Sequence, residues 1–205
     1  MLQNRVDPCG EIIATSARGL WMGNRGVIHD QHQQIIRPFK HKAWIICQLE
    51  FKGRKRTVMT PNRWTELFFR DEATAFAAGH RPCFECRKED AKRFKLCWIK
   101  GNPRGFTMMT SINEIDEIIH RERIDLEKKK VTHQRKISDI PDGTFILING
   151  GPYLFYKNQL HRWTPFGYQE SMSVPHTSML TVLTPNSIVN AFVSGYAPQV
   201  KLSRI

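Results

Sequence analysis

Long apolar runs are missing from this 205-residue chain. No stretch of 18 consecutive apolar residues occurs, so no membrane-spanning helix is expected. The opening residues, MLQNRVDPCGEI, lack the charged-then-apolar order of a signal peptide. Cysteine is sparse, and its odd number, five, with scattered spacing does not form a secreted disulfide framework. A reducing, cytoplasmic setting is the expectation. Acidic residues are also few. Asp and Glu number 19 against 31 Lys and Arg, which leaves a net charge of +12. An excess of that size attracts phosphate backbones, and the chain reads as a binder of nucleic acid more readily than as a protein with a merely solvated basic face.

What is present concentrates between Thr65 and Lys92. Asp71 is placed to cap a short helix and Glu72 falls in its first turn. Ala73, Ala75, Ala77 and Ala78 favour the helix, Gly79 can end it, and Pro82 follows. The chain then presents Cys83-Phe84-Glu85-Cys86, its one close cysteine pair. Two intervening residues let both sulfurs face one ion, and turn N–H groups stabilise thiolates. Redox pairs of the thioredoxin kind follow a strand instead, and two ordinary cysteines are the plainest alternative. A basic helix is predicted from about Glu85 to Trp98, with Ala91, Phe94 and Trp98 facing the core and Cys97 beside that face.

Upstream, Trp21–Gly26 reads as a loop, and His29 and His32 flank Asp30 as a weak metal or proton-transfer motif. Ala43–Phe51 reads as a strand, Lys52–Lys55 as a turn and Arg56–Thr60 as the returning strand. That hairpin would carry a basic tip, since residues 40–63 have a net charge of +6. Cys47 lies on its first strand and is the best-placed distant thiol to join Cys83 and Cys86. Downstream, Ser111-Ile112-Asn113-Glu114 has capping-box spacing, and its helix is predicted to reach about Lys130. The net +4 over residues 121–136 offers a second phosphate-facing surface or a solvated arm. Beyond Ile140 short strands form a meander, with an Asn149-Gly150-Gly151 turn, and a helix spans Asn186–Ser194.

Two blocks recur. Thr57–Asn62 (TVMTPN) is matched by Thr181–Asn186 (TVLTPN), and Ala75-Phe76-x-x-Gly79-x-x-Pro82 by Ala191-Phe192-x-x-Gly195-x-x-Pro198. Duplication is the better account of both in order. The second copy has Gln199 and Leu202 where the first has its cysteines.

From Phe68 to Cys86 the sequence resembles the zinc-binding domain of Ada-type DNA-repair proteins, in which a Phe-Phe pair and an Ala-rich helix precede Ala-Gly-Phe-Arg-Pro-Cys-x-x-Cys. The resemblance covers about an eighth of the chain. It implies zinc on Cys83 and Cys86, DNA binding, and methyl transfer from a backbone phosphotriester to an upstream zinc cysteine. The family's upstream cysteine pair is represented here by Cys47 alone, so Cys47, His80 and Cys97 are the candidates to complete the ligand set. The chain also resembles a group of bacterial proteins sharing the MGNRG, TELFF and AGHRPC stretches.

The expected architecture is α+β, with two divergent strand–Thr-Pro–helix Ada-like units. Residues 1–110 carry the cysteine knuckle, 111–137 form a basic helical connector, and 138–205 form a second, cysteine-free unit with the meander. The expected function is nucleic-acid binding, of DNA first, stabilised by zinc. Lys52, Arg54, Lys55, Arg56, Arg81, Arg87, Lys88 and Arg93 would contact phosphates. The alternative is an enzyme on nucleic acid or a nucleotide, with a cysteine or metal site and His80 or His29 for proton transfer. An interaction scaffold built on the aromatic meander is a third reading.

Overall fold

Strong local signals set the first elements of the computed structural model, which describes residues 1–53, 57–174 and 179–203. Strands and helices mix along the chain. β1 (Gln3–Val6), β2 (Ile12–Ala14), β3 (Trp21–Asn24), β4 (Ile45–Cys47), β5 (Leu67–Phe69) and β6 (Arg81–Pro82) make one sheet in the order β2-β1-β5-β3-β4-β6. Its β1–β5 and β4–β6 pairs are parallel and the other three antiparallel. β7 (His133–Lys136), β8 (Thr144–Ile148), β9 (Gly151–Tyr156), β10 (Gln159–Thr164), β11 (Gly167–Ser173) and β12 (Met179–Val182) make an antiparallel second sheet, ordered β11-β10-β9-β8-β12-β7. The meander follows its turn chemistry: Asn149 and Gly150 both take positive φ between β8 and β9, and Lys157 and Asn158 do so between β9 and β10. No helix among the described residues is long and apolar enough to cross a membrane.

The helices are α1 (Glu72–Ala77), α2 (Lys88–Gly101), α3 (Ile112–Arg123) and α4 (Asn186–Val193). Asp71 caps α1 by accepting the Thr74 N–H at 2.9 Å. All six α1 residues are buried, and Ala73 and Ala77 pack against Phe145, Leu154 and Leu183 of the second half. Gly79 ends α1 at φ +82°, where a Cβ would also lie 2.4 Å from Arg123 Cδ, so only glycine fits. The main core gathers Leu67, Phe69, Phe76, Phe94, Trp98, Ile115, Ile119, Ile188 and Phe192. It therefore draws on residues from each of the three segments read from the sequence.

Several local expectations are corrected. Among the described residues the returning strand of the basic hairpin is absent: after β4 the chain turns at Lys52 and Gly53, and Val58 and Met59 are in a turn rather than a strand, with Met59 at φ +54° and fully buried. Arg54, Lys55 and Arg56 lie outside the described residues. Trp21–Asn24 is a strand rather than a loop. The basic helix begins at Lys88, not Glu85, because Cys83–Cys86 is occupied in a turn. α3 has its capping box but stops at Arg123. Beyond it the Asp125 side chain takes the Lys129 N–H at 2.8 Å, and Ile124 bridges to Lys130, a local turn that competes with helix. The two Thr-Pro blocks are not equivalent either. Thr181–Asn186 runs from β12 into α4, whereas Thr57–Asn62 is a turn ahead of β5.

Candidate metal centre

Register brings the first two thiols together. In the parallel β4–β6 pair Ile45 lies opposite Arg81 and Ile46 opposite Pro82, and the Cys83 N–H donates to the Ile46 carbonyl at 3.0 Å. Cys47, the last residue of β4, and Cys83, which directly follows β6, thus sit side by side. The chain then turns: the Glu85 N–H reaches Cys83 Sγ at 3.3 Å and the Arg87 N–H the Cys83 carbonyl at 3.0 Å. The turn returns Cys86 to the same place. The sulfurs of Cys47, Cys83 and Cys86 lie within 4.8 Å of one another, close enough to hold a metal ion.

Cys47 and Cys83 are buried and Cys86 is half-buried, with Met22, Ile45 and Phe68 packed around them. Cys83 is the natural thiolate. Its pKa is drawn far down, chiefly by the Cys47 S–H and then the Cys86 S–H, with backbone N–H groups of Cys86 and Glu85 helping. Donating to it drives Cys47 the opposite way. Three sulfurs sharing negative charge in a half-buried site are a soft donor set, suited to zinc and similar ions. A tetrahedral zinc with bonds of about 2.3 Å spaces its sulfurs by about 3.8 Å, which this group can meet with small side-chain adjustments. A small cavity of about 60 Å³ opens beside the sulfurs, lined also by Gln48, Phe51, Trp64 and Glu85.

The two other expected ligands are elsewhere. His80 is fully buried, with Arg25 Nε donating to its Nε2 at 3.3 Å and its ring against Phe69 and Trp44. Burial first, then Arg25 and Arg123, hold its pKa well below normal, so it is a neutral packing residue. Cys97 packs against the main core from α2. Neither belongs to the sulfur group. His29 is also internal, its Nδ1 2.6 Å from Thr65 Oγ1, while His32 is exposed.

The expected phosphate contacts divide sharply. Lys52, Lys88 and Arg93 are exposed. Arg81 and Arg87 are not available. Arg81 makes a two-bond ion pair with buried Asp116, at 2.8 and 2.6 Å. Arg87 pairs with buried Glu72 at 2.5 Å and with Asp90 at 2.8 Å, its guanidinium 4.0 Å from the Trp21 ring centroid. Their charges are consumed inside the fold, because two buried carboxylates need partners.

Part of the basic run 121–136 turns inward. Arg25, Arg123 and Lys130 converge on a second, larger cavity of about 340 Å³. Arg123 and Lys130 belong to the basic run 121–136, whereas Arg25 comes from a distant part of the chain that no sequence spacing links to them. No protein-family model, curated protein or solved structure matches this chain.

Proposed function

We propose that this chain is a zinc protein, with Cys47, Cys83 and Cys86 as ligands, that binds nucleic acid through its exposed basic surface. One observation carries the reading: a distant upstream cysteine joins the Cys-x-x-Cys pair in a single sulfur group. That is the ligand order of the Ada-type zinc domain, one cysteine short. Three protein ligands leave a fourth position, and the cavity beside the sulfurs gives a water or small ligand access to it. The charge of +12 supports phosphate as the partner's chemistry, with DNA first. Lys52, Lys88 and Arg93 are the exposed contacts of those expected.

The test is elemental analysis of protein purified without chelator. About one zinc per chain is expected in the wild type, with loss in Cys47→Ser, Cys83→Ser and Cys86→Ser and retention in Cys97→Ser. A metal-free wild type that also takes up no added zinc would overturn the metal reading. Duplex DNA binding, followed by fluorescence anisotropy, should weaken by orders of magnitude between about 50 and 200 mM salt. Absence of binding at low salt would overturn the nucleic-acid reading.

The accessible fourth position also favours a second reading, an enzyme acting on nucleic acid or a nucleotide at this site. Loss of turnover in Cys83→Ser with DNA binding intact would favour it. Loss of metal together with unfolding would assign the sulfurs a structural role.

A further inference from the structure

The larger cavity lies away from the sulfurs, and its charge is unbalanced. Five basic side chains line it, Arg25, Arg37, Arg123, Lys128 and Lys130, against the single carboxylate of Glu11. Asp7 is the other acidic group acting on Arg25. Arg25 is 1% exposed and Arg123 2%. Both guanidinium carbons lie 3.8 Å from the Trp44 ring centroid. Among the described residues, none of Arg25, Arg123 and Lys130 is in an ion pair. Arg123 donates to the carbonyls of Gly79 and Lys42, and Lys130 to that of Ala77, all neutral acceptors. Arg25 spends its Nε on His80, and its Nη2 is buried with no hydrogen-bond partner.

Buried cations without counter-charge are costly, and a native fold rarely leaves a guanidinium nitrogen unsatisfied. An anion in the cavity would remedy both. Two guanidinium groups and an ammonium supply planar and point donors together, the combination that recognises tetrahedral oxyanions. The cavity is larger than one such anion needs and falls in the range of small-molecule sites. Ile35, Ile36 and Pro38 supply apolar wall for the rest of a ligand. We propose that this cavity binds a phosphate group, carried either by a small organic phosphate or by the end of a nucleic-acid strand. Arg25, Arg123 and Lys130 hold the oxyanion, and Arg37 and Lys128, which are exposed, guide it in from the rim. The site does not depend on the metal.

Isothermal titration calorimetry on the full chain tests this with adenosine 5′-monophosphate, adenosine and pyrophosphate. The monophosphate is expected to bind at least about tenfold more tightly than adenosine, the worth of one or two charge-assisted hydrogen bonds. Arg25→Gln should abolish that difference. Should that variant fail to fold, the surface changes Arg37→Glu and Lys128→Glu should each weaken the monophosphate severalfold while leaving unfolding curves unchanged. A short oligonucleotide with a 5′-phosphate, compared with its 5′-hydroxyl counterpart, separates the two sources. Tighter binding of the phosphorylated strand than of the mononucleotide assigns the site to strand ends, and the reverse assigns it to a small molecule. Equal affinity for adenosine and its monophosphate would overturn the proposal. So would phosphate binding that the rim variants leave intact and that Lys88→Glu, on the exposed face of α2, abolishes.

Discussion

Phe76 of α1 and Phe192 of α4 meet edge to face, ring centroids 5.2 Å apart, in the main core. The two are equivalent positions of the repeated Ala-Phe-x-x-Gly pattern. Their helices also end alike. The Gly79 N–H donates to the Phe76 carbonyl and the His80 N–H to that of Ala75, and Gly195 and Tyr196 repeat both bonds on Phe192 and Ala191. Truncating either ring removes core volume shared by both halves. Phe76→Ala and Phe192→Ala should each cost about 3–5 kcal/mol, read from urea unfolding. The double variant should lose less than the sum, with a coupling of about 0.5–1.5 kcal/mol. Strict additivity would show that the halves are stabilised independently.

That helix end was legible because it is local: alanines, a glycine and a proline fix a conformation within a few residues. The Ser111 capping box and the Asn149-Gly150 turn were legible for the same reason. The thiol site was half legible. Cys83 and Cys86 are close in sequence, but Cys47 joins them through strand register, and His80, also a candidate ligand, is turned inward by the fold. Arg81 and Arg87 read as surface charge because their carboxylates, Asp116 and Glu72, are 35 and 15 residues away. The TVMTPN block misled because a shared hexapeptide does not force shared structure. Its Met59 and Asn62 take positive φ, which a strand excludes.

Asp116 anchors the strand that leads into Cys83, since its partner Arg81 is in β6. Removing the carboxylate strands a buried guanidinium. Asp116→Ala should therefore cost about 3–5 kcal/mol, seen as a lower urea midpoint with unchanged slope. Arg81 is turned inward on Asp116, so any DNA affinity measured on the folded variant is expected to keep its salt slope. A reduced slope would return Arg81 to the nucleic-acid surface.

Lys88 and Arg93 are exposed cations of α2, and Arg93 shares Asp90 only weakly, at 3.4 Å. If each neutralises one phosphate, the plot of log affinity against log salt should flatten by about 0.9 for each alanine substitution on duplex DNA. Stability should move by less than about 0.5 kcal/mol, as at other surface positions. Variants that weaken binding without changing the slope would place α2 outside the DNA contact.

Lys130 gives the cavity a pH signature. Burial pulls its pKa down to about 7, with Arg25 and Arg123 pushing the same way and Cys9 and Asp7 opposing them. Below that value the ammonium is present to meet an oxyanion; above it the ligand must bring the charge back by drawing in a proton. Adenosine monophosphate is already mostly dianionic at pH 7, its second pKa being about 6. Its own titration therefore does not mask the effect between pH 7 and 8. Affinity should fall over that interval. At pH 8 binding should take up close to one proton, measured from calorimetric heats in two buffers of different ionisation enthalpy. Lys130→Arg keeps the charge but not the titration, since a guanidinium stays protonated here. It should bind with no proton uptake and with a flat pH dependence. Uptake that persists in Lys130→Arg would show that Lys130 is not the titrating group. Cys9, beside it in the cavity, is held up at about 11 by burial and does not titrate in this interval.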